Sequence, residues 1–361
     1  MKIFFIARGL HDLGGLERVT LVIADELAKR GYQTGIVCLE SGEPFFKVNP
    51  DVQIFYLPDE KTDSILPEKL TRKKRLRHLY QREKPDIVVF VGSHRSLLNI
   101  PAAKGIPGVT WEHFNANINW HPLHKLSRKL AVKHSAKIVT LTRRDADNYA
   151  KIFHTEKAVC IHNPLTIDNL KPSPRAGKRV LAAGRLAGQK GFDMLLDAWA
   201  KVENRKNGWK LRIVGSGKHL ERLQEQIRQN GIQDSVEIFP ATKNIVAEYE
   251  QASLLVMSSR YEGFGLVLVE GMAAGLPIVS FDCEAGPSEI VENGKTGILV
   301  PPNDVDKLAE ALDKVMSDEA LQNTFAQNAL ESVKRFSTES ILPQWERLFN
   351  EIMTKNNGKT V

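Results

Sequence analysis

Short runs of β-branched and aromatic residues alternate with helical patterns along the chain, and this alternation limits the fold more than any other feature. The run KIFFIA at residues 2–7 precedes the helical pattern LERVTLVIADELAKRG. The runs QTGIVCLE, DIVVFV, GVTWEH and AKIVTLT continue the alternation. Apolar strands separated by helices are typical of a parallel sheet that is covered on both faces. The first half of the sequence therefore predicts a doubly wound α/β domain.

The alternation is interrupted once and then begins again. Residues 170–179, LKPSPRAGKR, combine two prolines, a glycine and basic residues, which indicates a linker. Beyond it, RVLAAG, KLRIVGSG, SVEIFP, ASLLVMS, LPIVSF and TGILV indicate buried strands, and helical patterns end the chain. We predict two tandem Rossmann-like domains, residues 1–172 and 177–335. Both sheets are expected to face a cleft with their carboxyl ends, where ligands bind in such folds.

The composition excludes several other classes of protein. The 361 residues are 42% hydrophobic and 26% charged, as in soluble globular proteins. Cys38, Cys160 and Cys283 lie far apart without a CxxC pair, which fits a reducing compartment better than disulfides or zinc. Arg8 interrupts the first apolar run too early for a signal peptide, and no apolar run reaches the roughly 20 residues of a membrane span. These features predict a cytoplasmic protein.

The positive charge is concentrated in the first half of the chain. Residues 1–173 hold 27 Lys and Arg against 18 Asp and Glu, whereas the remainder holds 23 against 25. The densest basic run is TRKKRLRHLYQREK at residues 71–84. Such a run is usually the solvated face of a helix. The alternative is a surface for anionic lipid headgroups or an anionic acceptor. Nucleic acid is disfavoured, because no binding module accompanies the charge.

Two glutamates eight residues apart, Glu262 and Glu270, flank a glycine-rich entry to an apolar helical pattern in SSRYEGFGLVLVEGMAAGLP. The N-terminus of a helix suits phosphate, and Gly263 and Gly265 let the backbone approach a ligand closely. The alternative is a loop charge and a surface glutamate. Against it, a carboxylate within LVLVEGMAAG is costly to bury unless it has a partner.

Three further loops follow predicted strands. Arg185 and Lys190 in LAAGRLAGQKGF are placed to bind a phosphate. Gly14 and Gly15 occupy the position of a dinucleotide loop but lack the GxGxxG spacing, which disfavours a dehydrogenase; they either approach a phosphate or form a flexible helix start. His113 follows a strand among Asn, His and Trp residues that suit a sugar, although a lone histidine is more often structural.

One acidic pair suggests a metal but has a simpler interpretation. Asp145 and Asp147 have DxD spacing in RRDADNY. They open a helical pattern, where acidic residues interact favourably with the positive end of the helix dipole. We therefore interpret them as solvated first-turn residues, and predict no metal site.

Together these motifs resemble the retaining, nucleotide-sugar-dependent glycosyltransferases of family 4, which have the two-domain GT-B fold. The most specific match is EGFGLVLVE, the Glu-x7-Glu motif of the family. GRLAGQKGF is similar to its donor-phosphate loop, GGLER to its first glycine loop and the Glu-His pair at 112–113 to its histidine position. GPSEIVENGKTGILVPPND resembles members that build bacterial surface polysaccharides, lipopolysaccharide or lipid-linked oligosaccharides.

The resemblance implies a role for each motif residue. Arg185 and Lys190 would neutralise the diphosphate of the donor, Glu270 would bind the ribose and Glu262 the transferred sugar. It further implies donor contacts for Gly15 and for the loop residues Gly263, Phe264, Gly265 and Leu266, and places His113 beside the donor sugar. It also implies that a last helix, residues 339–356, packs on the first domain, and that no metal or cofactor is needed.

The resemblance implies transfer of a hexose or N-acetylhexosamine from a nucleotide sugar, with UDP as the expected nucleotide. The acceptor would be a glycan, a lipopolysaccharide or a polyprenyl-diphosphate-linked sugar, bound by the basic first domain in peripheral contact with the inner face of the membrane. Two alternatives stay open. One is a nucleotide-sugar 2-epimerase of the same architecture, and the other is a nucleotide-sugar-binding module without activity.

Overall fold

The computed structural model describes residues 1–57, 65–93, 100–118 and 122–357. It divides the chain into two compact units. The first comprises Met1–Thr166 and Thr338–Val361, and the second comprises Ile167–Ser337. No helix in the described part of the chain is long and apolar enough to cross a membrane.

The segment predicted as a linker, residues 170–179, lies within the second unit. The backbone N–H of Ser173 donates to the carbonyl oxygen of Ala274 at 2.8 Å, and the Ser173 side chain is buried against the carbonyl of Ala252. The boundary between the units therefore falls a few residues before the proline-rich stretch. Proline and glycine mark irregular backbone, but tertiary hydrogen bonds can hold such backbone in place.

The first unit is built on a seven-stranded parallel sheet. Its strands are β1 (Lys2–Ala7), β2 (Gln33–Cys38), β3 (Val52–Tyr56), β4 (Ile87–Val91), β5 (Gly108–Trp111), β6 (Lys137–Thr140) and β7 (Ala158–Cys160). They run in the order β3-β2-β1-β4-β5-β6-β7, and every pair is parallel. The central strand β4 is apolar at every position and β1 at every position after Lys2, because helices cover both faces.

In the described residues of the first unit before its boundary, the helices are α1 (Gly15–Lys29), α2 (Ile65–Glu83), α3 (Pro122–His134) and α4 (Arg143–Phe153), with a 3₁₀ helix at Ile100–Ala103. The basic run lies in the second half of α2. Leu76, Leu79 and Tyr80 face the core, whereas Lys74 and Arg77 are exposed. The run is therefore the solvated face of an amphipathic helix, as its spacing predicts.

The second unit repeats this plan with a six-stranded parallel sheet. Its strands are β8 (Arg179–Ala183), β9 (Lys210–Val214), β10 (Val236–Phe239), β11 (Leu254–Met257), β12 (Ile278–Phe281) and β13 (Gly297–Val300), in the order β10-β9-β8-β11-β12-β13. Its helices are α5 (Phe192–Lys201), α6 (Leu220–Gln229), α7 (Ile245–Gln251), α8 (Leu266–Ala273), α9 (Pro287–Ile290), α10 (Val305–Ser317) and α11 (Glu319–Ser332). The strand order reverses direction between β8 and β11, and ligands bind at such a switch point.

The last helix, α12 (Thr338–Asn357), belongs to the first unit although it follows the second in sequence. Trp345 is fully buried, and its ring meets that of Trp111 edge-on at a centroid distance of 5.0 Å. An ion pair of 2.9 Å between Arg30 and Glu346 adds a contact with the end of α1. The aromatic contact buries a large apolar area, so α12 completes the core of the first unit.

Candidate active site

The loops that follow β8 and β11 form the centre of the candidate site in the second unit. These two strands are hydrogen-bonded neighbours, so the loops at their carboxyl ends lie side by side. Lys190 comes from the first loop and Glu262 from the second. The Lys190 Nζ lies 2.7 Å from Glu262 Oε1. The strand order thus brings together two candidates that are 72 residues apart in the sequence.

Glu262 is almost completely buried and has two partners on the same oxygen. Ser259 donates its hydroxyl to Glu262 Oε1 at 2.6 Å, in addition to the Lys190 contact. Lys190 is more open, with 19% of its side chain exposed against 7% for Glu262. An ammonium group carries three N–H donors, so this lysine has donors left for an anion.

Arg185 is exposed just after β8. Its carbonyl oxygen accepts the backbone N–H of Ala187, but within the described residues its guanidinium makes no hydrogen bond or ion pair. Its guanidinium therefore needs no rearrangement of protein contacts to take a phosphate in its bidentate fork. The loop behind it is compact, because Gly217 approaches the carbonyl oxygen of Leu186 so closely that a Cβ would lie 2.4 Å away. The turn VGSG after β9 thus supports the Arg185 loop through backbone contact.

Helix α8 begins beside Glu262 and brings backbone N–H groups to the site. Gly265 precedes its first residue, Leu266, with a φ of 103°, a conformation that favours glycine. Phe264 is buried, and Gly286 of the next loop approaches its carbonyl oxygen so closely that a Cβ would lie 2.0 Å away. The helix start is therefore fixed from two sides, with its unpaired N–H groups at the carboxyl edge of the sheet.

Glu270 lies on α8 and is buried, not on the surface. Its Oε2 accepts a hydrogen bond of 2.6 Å from the hydroxyl of Tyr249, which is fully buried on α7. The alternative of an accidental surface charge is therefore wrong for Glu270. The partner that the apolar surroundings required is a tyrosine from another helix, and nothing in the local sequence around Glu270 identifies it.

The first unit places His113 in a loop held by a buried ion pair. Glu112 is completely buried and receives hydrogen bonds from Arg128 Nε at 3.3 Å and from the Tyr149 hydroxyl at 2.6 Å. Its other oxygen accepts the backbone N–H of His113 at 3.1 Å. Burial raises the pKa of Glu112, but the Arg128 charge and hydrogen bonds from Ser93 and Tyr149 outweigh it and lower the pKa.

Arg128 also determines the path of this loop. Its guanidinium donates to the carbonyl oxygens of Asn115, Ala116 and Ile118 at 2.9–3.0 Å. The imidazole of His113 packs on Trp111 with a ring-centroid distance of 4.5 Å. Residues 119–121, which complete the predicted cluster of sugar-binding side chains, lie outside the described residues. His113 is thus held at the carboxyl end of β5, and its role beside the donor sugar stays a prediction.

The expectation that Asp145 is a solvated first-turn residue is wrong, whereas Asp147 is exposed as expected. Asp145 accepts the backbone N–H of Ala116 at 2.8 Å, and its own N–H donates to Thr142. Burial raises the pKa of Asp145 to about 7, against the lowering effect of the Ala116 hydrogen bond. The first-turn pattern describes only the helix, and this partner belongs to the loop after β5.

The glycine loop after β1 leads into α1. Gly14 precedes the helix in extended conformation, and Gly15 is its first residue and is exposed. The Glu17 carboxylate folds back over the helix start, since a Cβ on Gly14 would lie 2.0 Å from Glu17 Oε2. Burial raises the pKa of this carboxyl group. An acidic side chain from the same motif thus occupies the helix start where Gly15 is predicted to meet the donor.

The two units correspond to two known domain families. Residues 13–169 match the model of glycosyltransferase family 4, and residues 167–332 match that of the glycosyl transferases of group 1. An uncharacterized glycosyltransferase of Haemophilus influenzae is 31% identical over 349 residues, which cover 96% of this chain and 99% of the relative. This chain is a family 4 glycosyltransferase.

A relative of named function and two solved structures extend this result. The amylovoran biosynthesis glycosyltransferase AmsD of Erwinia amylovora is 29% identical over 97% of this chain and 99% of its own. TarM of S. aureus, solved with UDP among its ligands, matches with a TM-score of 0.83 and 16% identity, over 97% of this chain and 99% of TarM. HepE of Anabaena, solved with UDP and glucose, matches with a TM-score of 0.82 and 20% identity, over 97% of this chain and 99% of HepE. Both structures show that the transferase has the GT-B fold.

The sequence motifs of the transferase do not identify several residues that contact the site. Ser259 and Tyr249 each hydrogen-bond one of the two glutamates, and Arg260 pairs with Asp193 beside the Lys190 loop. Ser259 lies three residues before Glu262 in the same loop, and a serine at this spacing is too common to be a signal. The other two pairs join segments that come together only in the tertiary structure, so their only sequence signal is proximity to a motif. The roles of the motif residues in binding and catalysis stay predictions.

Proposed function

We propose that this transferase moves a hexose or N-acetylhexosamine from a UDP-sugar to a glycan or lipid-linked acceptor in bacterial surface-glycan synthesis, with retention of configuration. The relatives support the substrate class. Besides the amylovoran enzyme, an N-acetylgalactosaminyltransferase of Campylobacter jejuni that acts on an undecaprenol-diphosphate-linked glycan is 26% identical over 98% of this chain. The ligands of TarM and HepE support UDP as the nucleotide.

The observation that carries the proposal is the group of charges at the switch point of the second sheet. Two cations, Arg185 and Lys190, lie in one loop, and Lys190 is already held against Glu262 at 2.7 Å. A leaving diphosphate gains negative charge as its bond to the sugar breaks. Lys190, held by Glu262, the exposed Arg185 and the N–H groups at the start of α8 would together stabilise that charge. We therefore propose that no metal ion is needed.

The reaction we propose is a displacement on one face of the sugar, as the family resemblance implies. The bond between the sugar C1 and the diphosphate oxygen breaks, and C1 bonds to the acceptor oxygen on the same face. The acceptor proton passes to the leaving phosphate oxygen. Glu262 then orients the sugar and Glu270 the ribose, and neither acts as nucleophile. The protein contributes positioning and electrostatic stabilisation, which are the principal sources of catalysis in such transfers.

The basic first unit supports an anionic acceptor or membrane contact. Its excess of Lys and Arg includes the exposed face of α2, with Lys74 and Arg77 directed to solvent. Anionic lipid and polyprenyl diphosphates both carry the complementary charge. We propose peripheral attachment to the inner face of the cytoplasmic membrane through this face.

The first prediction concerns the two donor-loop cations. Arg185→Ala and Lys190→Ala should each lower kcat by about 10²–10³-fold, as removal of one charge-stabilising donor does elsewhere. The assay is a panel of UDP-sugars read by UDP release, with product analysis after addition of glycan acceptors. Lys314→Ala, an exposed lysine of α10, is the matched control.

Wild-type turnover in Arg185→Ala or Lys190→Ala, with melting temperatures unchanged, would contradict the assignment. The same panel separates the alternatives. A 2-epimerase would isomerise a UDP-sugar without acceptor, and a binding module would bind UDP-sugar without releasing UDP.

A further inference from the structure

An ion pair between Arg260 and Asp193 joins the two loops that carry Lys190 and Glu262. Nη1 of the Arg260 guanidinium lies 2.8 Å from Asp193 Oδ1, and Nη2 lies 2.7 Å from Oδ2. Nη1 also donates to the carbonyl oxygen of Gly188 at 2.8 Å. A bidentate contact restrains orientation as well as distance. One side chain from the loop after β11 therefore holds both the first turn of α5 and the turn before it.

Backbone and side-chain hydrogen bonds continue this junction on both sides of the ion pair. The N–H of Arg260 donates to the carbonyl oxygen of Gln189 at 2.8 Å, and Gln189 Nε2 donates to the carbonyl of Tyr261 at 3.1 Å. The Ser258 hydroxyl donates to the carbonyl oxygen of Lys190 at 2.9 Å. The backbone of Lys190 is therefore fixed relative to the loop that carries its partner.

Glycine makes this close approach feasible. Gly191 has a φ of 62°, and a Cβ at this position would lie 2.1 Å from the carbonyl oxygen of Ser258. No other residue fits there without separating the two loops. The backbone of the sequence GQKG thus packs against the end of β11, and the ion pair between Arg260 and Asp193 adds a side-chain contact between the same two loops.

We propose that Arg260 and Asp193 are positioning residues for the donor diphosphate, because they hold the Lys190 loop against the loop that carries Glu262. This inference rests on the proposed role of Lys190 in donor binding. Lys190 reaches its target on a flexible stem, so the position of its ammonium depends on where its backbone is held.

The ion pair itself contributes little to folding stability. Its side chains are 34% and 26% exposed, and ion pairs open to solvent add little to the free energy of unfolding. The hydrogen bond from Arg260 lowers the pKa of Asp193, so the pair stays charged at neutral pH. Geometry at the neighbouring site is therefore its main effect.

The test uses the full chain and the UDP-release assay with the preferred donor. Arg260→Lys keeps the charge but loses the bidentate contact and the bond to Gly188. We expect kcat and kcat/KM to fall together by about 10- to 100-fold, as for a misplacement of about 1 Å at a reacting centre. Asp193→Asn, which keeps one acceptor oxygen, should show a smaller loss in the same direction.

Arg212→Lys is the matched control. Arg212 also makes a bidentate contact, through Nε and Nη2 to Glu248 at 2.6 and 2.8 Å, and joins β9 to α7 away from the Lys190 loop. We expect its melting temperature to fall at least as far as that of Arg260→Lys while kcat stays at the wild-type value. An equal loss of kcat in both variants would overturn the proposal, because a general loss of stability would then explain it.

A double-mutant cycle with Lys190→Ala separates positioning from an independent effect. If Arg260 acts through Lys190, Arg260→Lys should cause no further loss of kcat in the Lys190→Ala background. Losses that multiply would overturn the inference. A strongly impaired Lys190→Ala beside a fully active Arg260→Lys would overturn it while leaving the proposed function intact. A fully active Lys190→Ala would overturn both.

Discussion

At the scale of the residue, the hydrogen bond between Tyr249 and Glu270 gives a sharp test of the ribose-binding role. Tyr249→Phe removes one hydroxyl and leaves the buried Glu270 carboxylate without this 2.6 Å partner. A Glu270 carboxylate that is no longer held in place should lose its proposed hydrogen bond to the ribose. Such a bond to a charged group contributes about 1.5–3 kcal/mol, so UDP affinity should fall about tenfold or more. Calorimetric titration with UDP measures the affinity of each variant. The donor KM should rise more than kcat falls, because ribose binding is uniform along the reaction.

The chain offers a closely matched control for this variant. Tyr149 donates to the buried Glu112 at the same distance, 2.6 Å, but in the first unit. Tyr149→Phe should lower the melting temperature and leave UDP affinity unchanged. Equal UDP affinity in wild type and both variants would show that Glu270 is oriented by other groups or does not bind the ribose.

At the scale of the element, Asp145 couples helix α4 to the loop that carries His113. Its pKa is raised from 3.8 to about 7, so the folded protein binds more protons than the unfolded chain between these values. The contribution of Asp145 to stability is therefore fully present below pH 4 and is lost as the pH rises to about 7. The maximum slope is about 1.4 kcal/mol per pH unit.

Asp145→Asn should remove this part of the pH dependence, because the amide oxygen still accepts the N–H of Ala116 and carries no charge. Urea unfolding at pH 4.5, 6 and 7.5 measures the difference from wild type, which should grow in favour of the variant as the pH rises. Asp147→Asn on the exposed side of the same helix should follow the wild-type profile. Parallel profiles for wild type and Asp145→Asn would contradict the raised pKa.

Sequence patterns predict most of the elements, although not the edge strands β3 and β7, and they do not predict the contacts between elements. The period of apolar residues predicts strands such as β4 and helices such as α8, and the loops after parallel strands identify Lys190 and Glu262 as candidates. The burial of Asp145, the tyrosine on Glu270 and the Arg260–Asp193 pair depend on distant segments. Such pairings involve common residue types at unremarkable spacings, so only the packed structure identifies them.

At the scale of the whole molecule, one strand plan is used twice, but the charge is not shared equally. Both parallel sheets reverse strand order beside their first strand, and in each unit the candidate residues follow strands at or next to that point. The first 173 residues hold nine more basic than acidic residues, and the rest hold two more acidic than basic. The excess of basic charge in the first part of the chain favours contact with an anionic acceptor or an anionic surface, while the donor site depends on its local cations.

The final prediction tests that surface with vesicles. Wild-type protein should sediment with vesicles rich in phosphatidylglycerol at low salt and be released as salt rises, since screening at 0.1 M acts over about 10 Å. Replacing Lys74 and Arg77 on α2 by Glu should weaken binding at least about tenfold, because each basic residue near such a surface contributes about 1 kcal/mol. Replacing Lys314 and Lys334 of the second unit, both exposed, by Glu is the matched control and should change vesicle binding little.

Binding that persists at high salt would instead indicate apolar insertion, for which the exposed Leu123 and Leu126 of α3 are the residues to replace. No sedimentation at low salt would contradict membrane attachment and leave the charge to a soluble anionic acceptor.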